Sequence, residues 1–304
     1  MLFIAGMSLL LFFVDGLGIG ARGPFNPLDG LDGAAPLAVF QDEEPDVSHD
    51  GVLVRTDARL GVEGRPQSAS GQTTILTGVN APALLGYHKQ GFPNEALREI
   101  IKEHSIFLQL KRASVGPNAF ANAYTQRFFE TRPRWVSATT AAVEAAGMSF
   151  RSTEDLKAGR AVFMDFTNAF LKERGEEVSL RSPEEAGAVL AQIVREHRFT
   201  LYEYFITDKI GHAQDISAAR VYLVSLARYL RAVLDRLDLS ETTVILTSDH
   251  GNIEDLSIRN HTLNEVPTLA WGPGRRIVAE RVRSLADITP TIMEILRQET
   301  VTKG

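Results

Sequence analysis

The sequence predicts an α/β fold in which a mostly parallel sheet is sandwiched between helices. Short apolar, β-branched stretches of strand length alternate along the chain with longer amphipathic stretches of helical period. This alternation is typical of a parallel sheet that is covered on both faces. Several of the apolar stretches also end in an aspartate, and ligands of open α/β sheets bind outside the carboxyl ends of the strands.

The composition excludes several classes of protein. With 304 residues, of which 44% are hydrophobic, the chain can bury one large core, or one core with a smaller insert. A net charge of −6 and scattered basic residues argue against a nucleic-acid partner. The absence of cysteine excludes thiolate metal sites and a cysteine nucleophile. The apolar opening lacks a basic start and a cleavage site, and it is too short to span a bilayer. We therefore expect a cytoplasmic protein without a membrane partner; the composition indicates no oligomeric state.

The first predicted strand, Leu9 to Val14, ends at Asp15 and is followed by a glycine-rich turn. A phosphate-cradling loop is one interpretation of this turn, but the glycine spacing fits neither the dinucleotide-binding fingerprint nor the P-loop. The carboxylate at the strand end is the more informative feature. Residues 21 to 66 are rich in Pro, Gly and Asp, which predicts a loop with a short strand near Val52 to Arg55.

The stretch from Pro66 to Gly78 predicts a loop that enters a helix near Ser68 to Ser70. The N-terminus of a helix presents free N–H groups and a positive dipole end to an anion. Ser68 is therefore either an ordinary N-cap or a nucleophile activated by a metal. The hydroxyl groups that compete with it belong to Ser70, Thr73 and Thr74.

The middle of the chain changes character. A helix is predicted over Gly91 to His104 and a strand over Ser105 to Leu110. From 111 to 182, aromatic residues cluster among polar ones, and we interpret this segment as a small cap inserted into a metal-binding α/β core made of 1–110 and 183–304. Its arginines are either substrate-binding or solvated surface residues. The candidates among them are Arg112, Arg127, Arg132, Arg134 and Arg151. Lys111, His88 and Lys209 are further candidates by their position in the sequence.

The last third carries two further strand ends with carboxylates. The strand Thr200 to Ile206 is followed by Asp208 and His212. A spacing of four residues is about one helical turn, so both side chains can converge on one point. The helix that carries them is predicted to run to about Leu237. The strand Thr243 to Thr247 is followed by Asp249 and His250, which form either a polar turn or a pair of metal ligands.

Three strand-end aspartates thus lie near three histidines, the third being His261. Together with Ser68, this set predicts a site for two metal ions. A strand over Val266 to Trp271 and a helix over Pro290 to Leu296 complete the predicted core.

These motifs resemble the alkaline phosphatase superfamily, and most closely the metalloenzyme branch that holds cofactor-independent phosphoglycerate mutase and phosphopentomutase. The resemblance runs from residue 14 to 297 apart from the cap. The matching pieces are Val14-Asp15-Gly16, Ser68 ahead of Thr77-Gly78, Asp208 with His212, Ser248-Asp249-His250-Gly251-Asn252, His261-Thr262 ahead of Val266-Pro267, and Leu285 to Ile292.

The resemblance implies two divalent metal ions, Mn²⁺ or Zn²⁺ rather than Mg²⁺, since imidazole ligands disfavour the latter. Asp208, His212 and His261 would hold one ion. The other would be held by Asp15, Asp249, His250 and the Ser68 oxygen. Such ions would clamp a phosphate and lower the pKa of Ser68.

The predicted function is phosphoryl transfer through a phosphoserine intermediate, by a hydrolase (phosphatase) or an isomerase (phosphomutase) acting on a small phosphorylated substrate. Two alternatives remain, namely a phosphodiesterase or phosphonate hydrolase of the same superfamily and a non-catalytic metal-binding relative. Gln72 stands where sulfatases carry arginine, which argues against sulfate esters. The cap is also much shorter than the insert of the phosphoglycerate mutases, which carries substrate-binding arginines.

Overall fold

The computed structural model describes residues 7–44, 47–131 and 133–301. Its strands are β1 (Ser8–Val14), β2 (Val52–Thr56), β3 (Asn118–Phe120), β4 (Ala123–Tyr124), β5 (Arg151–Ser152), β6 (Phe199–Tyr204), β7 (Thr242–Thr247) and β8 (Val266–Trp271). Six strands form one sheet in the order β2-β8-β7-β1-β6-β3, and β4 and β5 form a second, small sheet. The pairs of β1 with β6, β1 with β7, and β3 with β6 are parallel, whereas β8 is antiparallel to both β7 and β2. The main sheet is therefore mostly parallel, as predicted.

Helices cover this sheet on both faces. They are α1 (Ser68–Thr77), α2 (Ala81–Leu85), α3 (Glu95–His104), α4 (Ile106–Arg112), α5 (Gln126–Thr131), α6 (Ala138–Ala145), α7 (Thr153–Lys157), α8 (Ala169–Glu173), α9 (Pro183–Arg195), α10 (Ile206–Ala213), α11 (Ile216–Leu234), α12 (Arg275–Arg281) and α13 (Ile288–Val301). A short 3₁₀ helix, Leu285–Asp287, precedes α13. Among the described residues, no helix is long and apolar enough to cross a membrane.

The sequence of the central strand β1 is continuously apolar and does not alternate between apolar and polar residues. Successive side chains of a strand point to opposite faces of the sheet. Leu10, Phe12 and Val14 share one core with buried residues of α9 and α11. Leu9, Leu11 and Phe13 share the other core with residues of α1, α4 and α13. Because both faces are covered, every residue of β1 is buried and a continuous apolar run results.

The strand predicted over Ser105 to Leu110 is wrong, since this segment forms α4. Its buried apolar residues are Ile106, Phe107 and Leu110, and the residues between them are only partly buried. That spacing is helical, and a short apolar run cannot be assigned by its periodicity alone.

The single helix predicted from Asp208 to about Leu237 is two helices. Gln214 adopts a left-handed conformation with φ of 56° and ends α10. Asp215 then accepts a hydrogen bond from the N–H of Ala218 and begins α11. An aspartate N-cap therefore restarts the helix one residue after the break.

The segment 111–182 contributes to two regions. Its strand β3 extends the main sheet, and buried side chains of α6 belong to the same core as α1 and α4. Around β4, α7 and α8 lies a small separate cluster that includes Leu156, Phe163 and Leu171. The division of the chain into a core and a cap stays a prediction.

Candidate metal centre

Three neighbouring strands bring the predicted carboxylates to one place. Asp15 directly follows β1, Asp249 lies just beyond β7, and Asp208 lies in the first turn of α10 after β6. Because β7, β1 and β6 are adjacent and parallel, their carboxyl ends meet at one edge of the sheet. Ser68, the first residue of α1, reaches the same edge.

Asp208, His212 and His261 form one group of potential metal ligands. The Nε2 atom of His261 lies 3.3 Å from Oδ1 of Asp208 and 3.2 Å from Nε2 of His212. A backbone carbonyl can only accept a hydrogen bond, so each Nδ1 donates: His261 to the carbonyl of Pro66 and His212 to that of Arg259, both at 2.8 Å. Both Nε2 atoms therefore lie beside one carboxylate, and each would offer a lone pair to a metal that displaces any proton it carries.

The second predicted group surrounds the Nε2 atom of His250. This atom lies 3.0 Å from Oγ of Ser68 and 3.3 Å from Oδ1 of Asp15. It is also 3.5 Å from Oδ2 of Asp249. Asp208 is close enough to form a potential ligand group with Asp15 and His250, so it lies between the two predicted groups.

This set of donors fits divalent cations. Carboxylate and imidazole ligands without thiolate suit Mn²⁺ and Zn²⁺. The Oδ1 atom of Asp15 is buried and accepts no hydrogen bond. A buried carboxylate oxygen without a partner costs free energy, and a bound cation would remove that cost.

The same crowding raises the pKa values of two carboxyls. Burial, followed by the charge of Asp208, raises the pKa of Asp249 to about 7. Burial and the charges of Asp249 and Asp208 raise the pKa of Asp15 well above its usual value. Burial, assisted by the charge of His261, lowers the pKa of His250 to about 3, so its imidazole is neutral and able to bind a metal.

The pKa values of Asp208 and His261 shift in the directions that favour their charged forms. Burial is the largest single influence and would raise the pKa of Asp208. The hydrogen bonds from His261 and Asn252 and the charges of His250 and His261 together outweigh it, so the pKa falls well below the usual range. Burial would lower the pKa of His261, yet its interaction with Asp208 and its bond to the Pro66 carbonyl leave that pKa raised. The pair therefore behaves as an ion pair when no cation competes for the carboxylate.

Two amide side chains hold the carboxylates in position. The Nε2 group of Gln72 donates to Oδ2 of Asp15 at 3.0 Å and to Oδ2 of Asp249 at 3.1 Å. Asn252 donates its Nδ2–H to Oδ1 of Asp208 at 2.7 Å. Sequence reasoning noted both residues but missed this role. Helical spacing was a usable signal for Gln72, which lies one turn after Ser68 on the same face of α1.

The glycine-rich turn after β1 contacts a protein carboxylate. The N–H of Gly18 donates to Oε2 of Glu254 at 2.9 Å, and the N–H of Asn252 donates to the same oxygen at 2.8 Å. The other oxygen, Oε1, accepts from Oγ1 of Thr262 at 2.5 Å. A Cβ atom at Gly18 would lie 2.1 Å from this Oε1. The turn therefore requires glycine so that Glu254 can join the end of β1 to the loop that carries the ligands.

Among the candidate hydroxyl groups, that of Ser68 is partly exposed and lines a cavity. Ser70, Thr73 and Thr74 are completely buried. Each of these three hydroxyls donates to a backbone carbonyl nearby in the chain, that of Gln67, Ala69 and Ser70, respectively. They have structural partners, whereas the Ser68 hydroxyl faces His250.

The cavity beside Ser68 has a volume of about 780 Å³ and is bounded on one side by Asp15, Asp208 and His212. Much of its remaining wall comes from segment 111–182. Glu203 on β6 also lines it, and burial together with the charge of Asp249 raises the pKa of this carboxyl to about 7. Sequence reasoning missed Glu203, because a single acidic residue within an apolar strand carries no signal for its orientation.

Most of the described cationic residues that the sequence offered as candidates do not line the cavity beside Ser68. Arg112 donates to the carbonyl of Glu103, Lys111 to that of Ala146, and His88 contacts that of Val62. None of the described candidates Arg112, Arg127, Arg134 and Arg151 lines the cavity, and Arg132 lies outside the described residues. Arg174 of the same segment, which was not among the candidates, does line it. Lys209 does line it.

Residues 177–300 match the model of the family described as the Metalloenzyme superfamily. The 2,3-bisphosphoglycerate-independent phosphoglycerate mutase of Ehrlichia canis (strain Jake) is 29% identical over 110 residues, which are 34% of this chain and 22% of that protein. The match therefore spans only about a fifth of the length of this curated relative.

Two solved structures are similar over almost the whole chain. The PH0037 protein from Pyrococcus horikoshii has a TM-score of 0.58 at 13% identity, covering 97% of this chain and 98% of that one. A cold-active alkaline phosphatase from Shewanella sp. has a TM-score of 0.53 at 12% identity, covering 95% of this chain and 100% of that one. The fold is therefore alkaline phosphatase-like, and the predicted resemblance to the metalloenzyme branch of the alkaline phosphatase superfamily is confirmed.

Proposed function

We propose that this protein is a metal-dependent phosphoryl-transfer enzyme in which Ser68 is the nucleophile. The observation that carries the proposal is the 3.0 Å contact between Oγ of Ser68 and Nε2 of His250, at the wall of a cavity that also reaches Asp15 and Asp208. A phosphate in the cavity can therefore approach this hydroxyl from one side. The carboxylate and imidazole donors lie on its other side.

Two divalent metal ions, Mn²⁺ or Zn²⁺, fit the donors. Asp208, His212 and His261 would hold one, and Asp15, Asp249, His250 and the Ser68 oxygen would hold the other. When bound, such ions neutralise charge on phosphate oxygens and make a serine hydroxyl easier to deprotonate. Gln72 keeps Asp15 and Asp249 oriented through its two hydrogen bonds.

The reaction proceeds in two displacements. The oxygen of Ser68 forms a bond to phosphorus while the bond from phosphorus to the alcohol oxygen breaks. The serine proton leaves to solvent, and the departing alcohol oxygen takes up a proton. Water then attacks the phosphoserine, which restores the serine hydroxyl and releases inorganic phosphate. If a second hydroxyl of the substrate attacks instead, the same intermediate gives a mutase.

Two observations support this chemistry. The first turn of α1 begins at Ser68, and a helix N-terminus stabilises an anion placed before it. The similar proteins include a phosphoglycerate mutase and an alkaline phosphatase.

The test is release of inorganic phosphate from a panel of phosphate monoesters and diesters by protein loaded with Mn²⁺ or Zn²⁺. Ser68→Ala should lower turnover by several orders of magnitude, because an activated nucleophile contributes a large share of such rate enhancements. Ser70→Ala is the matched control and should keep most of the activity at temperatures where it remains folded. Full turnover by Ser68→Ala, or none by the loaded wild type on any ester, would contradict the proposal.

A further inference from the structure

The cavity beside Ser68 has an aromatic wall that phosphoryl transfer itself does not require. Phe120, Tyr124, Phe128, Phe163 and Phe170 all line it. They come from β3, β4, α5, the loop before α8, and α8, so no single amphipathic element explains their convergence. The volume of about 780 Å³ lies within the range of about 300–1,000 Å³ for pockets that enclose a drug-sized ligand. A phosphate group alone would leave most of this space empty.

Large apolar side chains at this cavity are exposed to solvent. Trp135 is 48% exposed, Phe92 is 51% exposed and Phe205 is 39% exposed, and all three line the cavity. Exposed apolar surface that is contiguous with a binding cavity marks a place where a ligand removes it from water. The Ser68 side and the aromatic side belong to one cavity, so one molecule can occupy both.

The charges of the wall argue against a small, highly charged alcohol group. Among the described residues, the cationic lysine and arginine side chains of the wall are Arg174 and Lys209. The Nζ atom of Lys209 lies 4.7 Å from the ring centroid of Phe170, so this cation is already engaged with an aromatic face. Glu203 adds a carboxylate to the same wall. A substrate that carries further carboxylates would need several arginines here.

The aromatic wall is also rigid. The hydroxyl of Tyr124 is hydrogen-bonded to Oγ1 of Thr140 at 2.6 Å. The ring of Tyr124 packs against Phe128 and Phe150, with centroid distances of 4.2 Å and 4.9 Å. Such a preformed surface offers ring faces and edges to another ring. It favours a planar group over a flexible alkyl chain, which would lose more conformational entropy on binding.

We propose that the substrate is a phosphate ester of a bulky, uncharged aromatic alcohol, whose rings lie against this wall while its phosphate lies at Ser68. This inference rests on the proposed phosphoryl transfer and specifies its substrate class.

The test compares three phosphate esters of primary alcohols, so that leaving-group chemistry is similar. They are naphthylethyl phosphate, n-decyl phosphate and glycerol phosphate, each assayed with the metal-loaded protein. We expect kcat/KM for naphthylethyl phosphate to exceed the other two by about tenfold or more. Equal values for the three esters, or a preference for the decyl or glycerol ester, would overturn the inference while leaving the proposed phosphoryl transfer intact.

Trp135→Ala supplies the residue-level test, because this exposed side chain can be removed without opening the core. The variant should raise KM several-fold for naphthylethyl phosphate and change KM for glycerol phosphate by much less. Phe25→Ala, an equally exposed aromatic position that does not line the cavity, is the control and should change neither value. An unchanged KM for naphthylethyl phosphate in Trp135→Ala would count against the inference.

Binding gives a readout that does not depend on turnover. Naphthylethyl phosphonate, which cannot be hydrolysed, should quench the fluorescence of Trp135, whereas Trp271 is completely buried and provides the background. Saturable quenching that disappears in Trp135→Phe supports the aromatic site even if no ester turns over. In that case the proposed phosphoryl transfer fails, and with it the assignment of a substrate, while the wall remains a binding site for an aromatic phosphonate. Absence of quenching in the wild type overturns the inference.

Discussion

In the metal-free protein, Asp249 should make the stability fall as the pH rises, against an opposite contribution from His250, whose pKa burial lowers to about 3. Burial and the charge of Asp208 raise the pKa of this carboxyl from 3.8 to about 7. Below pH 3.8 the carboxyl is protonated in both states and its contribution to stability is fully present. As the pH rises towards about 7, the unfolded chain releases the proton while the folded chain keeps it, so the free energy of unfolding decreases.

The size of the effect follows from the same values. A pKa raised from 3.8 to about 7 corresponds to a loss of about 4 kcal/mol once both states are ionised. For a domain of this size that loss lowers Tm by roughly 5–10 °C. Asp15 and Glu203, whose pKa values are also raised by burial, act in the same direction. The lowered pKa of His250 acts in the opposite direction, because between about pH 3 and 6.5 the unfolded histidine binds a proton that the folded one does not.

Thermal melts of chelator-treated protein across this pH range would measure the effect. In Asp249→Asn, Tm should fall less with rising pH than in the wild type. The substitution removes one buried carboxyl and the repulsion that this carboxyl exerts on Asp15. Asp32→Asn, which changes an exposed carboxylate, should leave the slope unchanged. Re-adding Zn²⁺ or Mn²⁺ should raise Tm most at the high end of the range, since metal binding requires ionised carboxylates. An Asp249→Asn variant whose Tm depends on pH in the same way as that of the wild type would refute the reasoning.

Three further predictions concern the same edge of the sheet. His261→Ala should lower the bound metal from two ions to about one by elemental analysis, whereas the exposed His104→Ala should keep both; full occupancy in His261→Ala would contradict the ligand assignment. Gln72→Leu should destabilise the metal-free protein by about 2–4 kcal/mol in denaturant unfolding, because two buried carboxylates lose a donor; an unchanged midpoint would refute that role. Gly18→Ala should cost about 1–3 kcal/mol in the same assay, because its Cβ would overlap Glu254; wild-type stability would show that the turn has room to adjust.

The sequence was sufficient to predict the parallel sheet and to predict that the site residues lie close together at one edge of it. A buried parallel strand reads as a continuous apolar run, and the carboxyl ends of adjacent parallel strands meet by geometry. Asp15, Asp208 and Asp249 could therefore be expected at one edge without knowing any side-chain contact. The structure brings these residues together with the three histidines and Ser68, while their roles as ligands and nucleophile stay predictions.

The sequence was insufficient to predict those features of the structure that depend on tertiary contacts. The run from Ser105 to Leu110 could pair as a strand or pack as a helix, and its packing in the core with α6 and α13 selected the helix. Helical spacing places Gln72 on the same face of α1 as Ser68, but the two carboxylates that it bonds lie far from it in the chain, so the sequence does not identify them as its partners. The aromatic cluster of segment 111–182 was visible in the sequence. That it faces Ser68 depends on how β3, β4 and α8 are arranged in space.

The most direct test of the central claim is to identify the phosphorylated residue. Metal-loaded protein is mixed with a phosphate ester that it hydrolyses, quenched in acid during turnover, digested, and analysed by mass spectrometry. The account predicts one phosphoryl group on Ser68, and none on Ser70, Thr73 or Thr74, whose hydroxyls are buried and bonded to the backbone. Phosphate trapped on one of those residues would contradict it, as would turnover that proceeds through no phosphoserine at all.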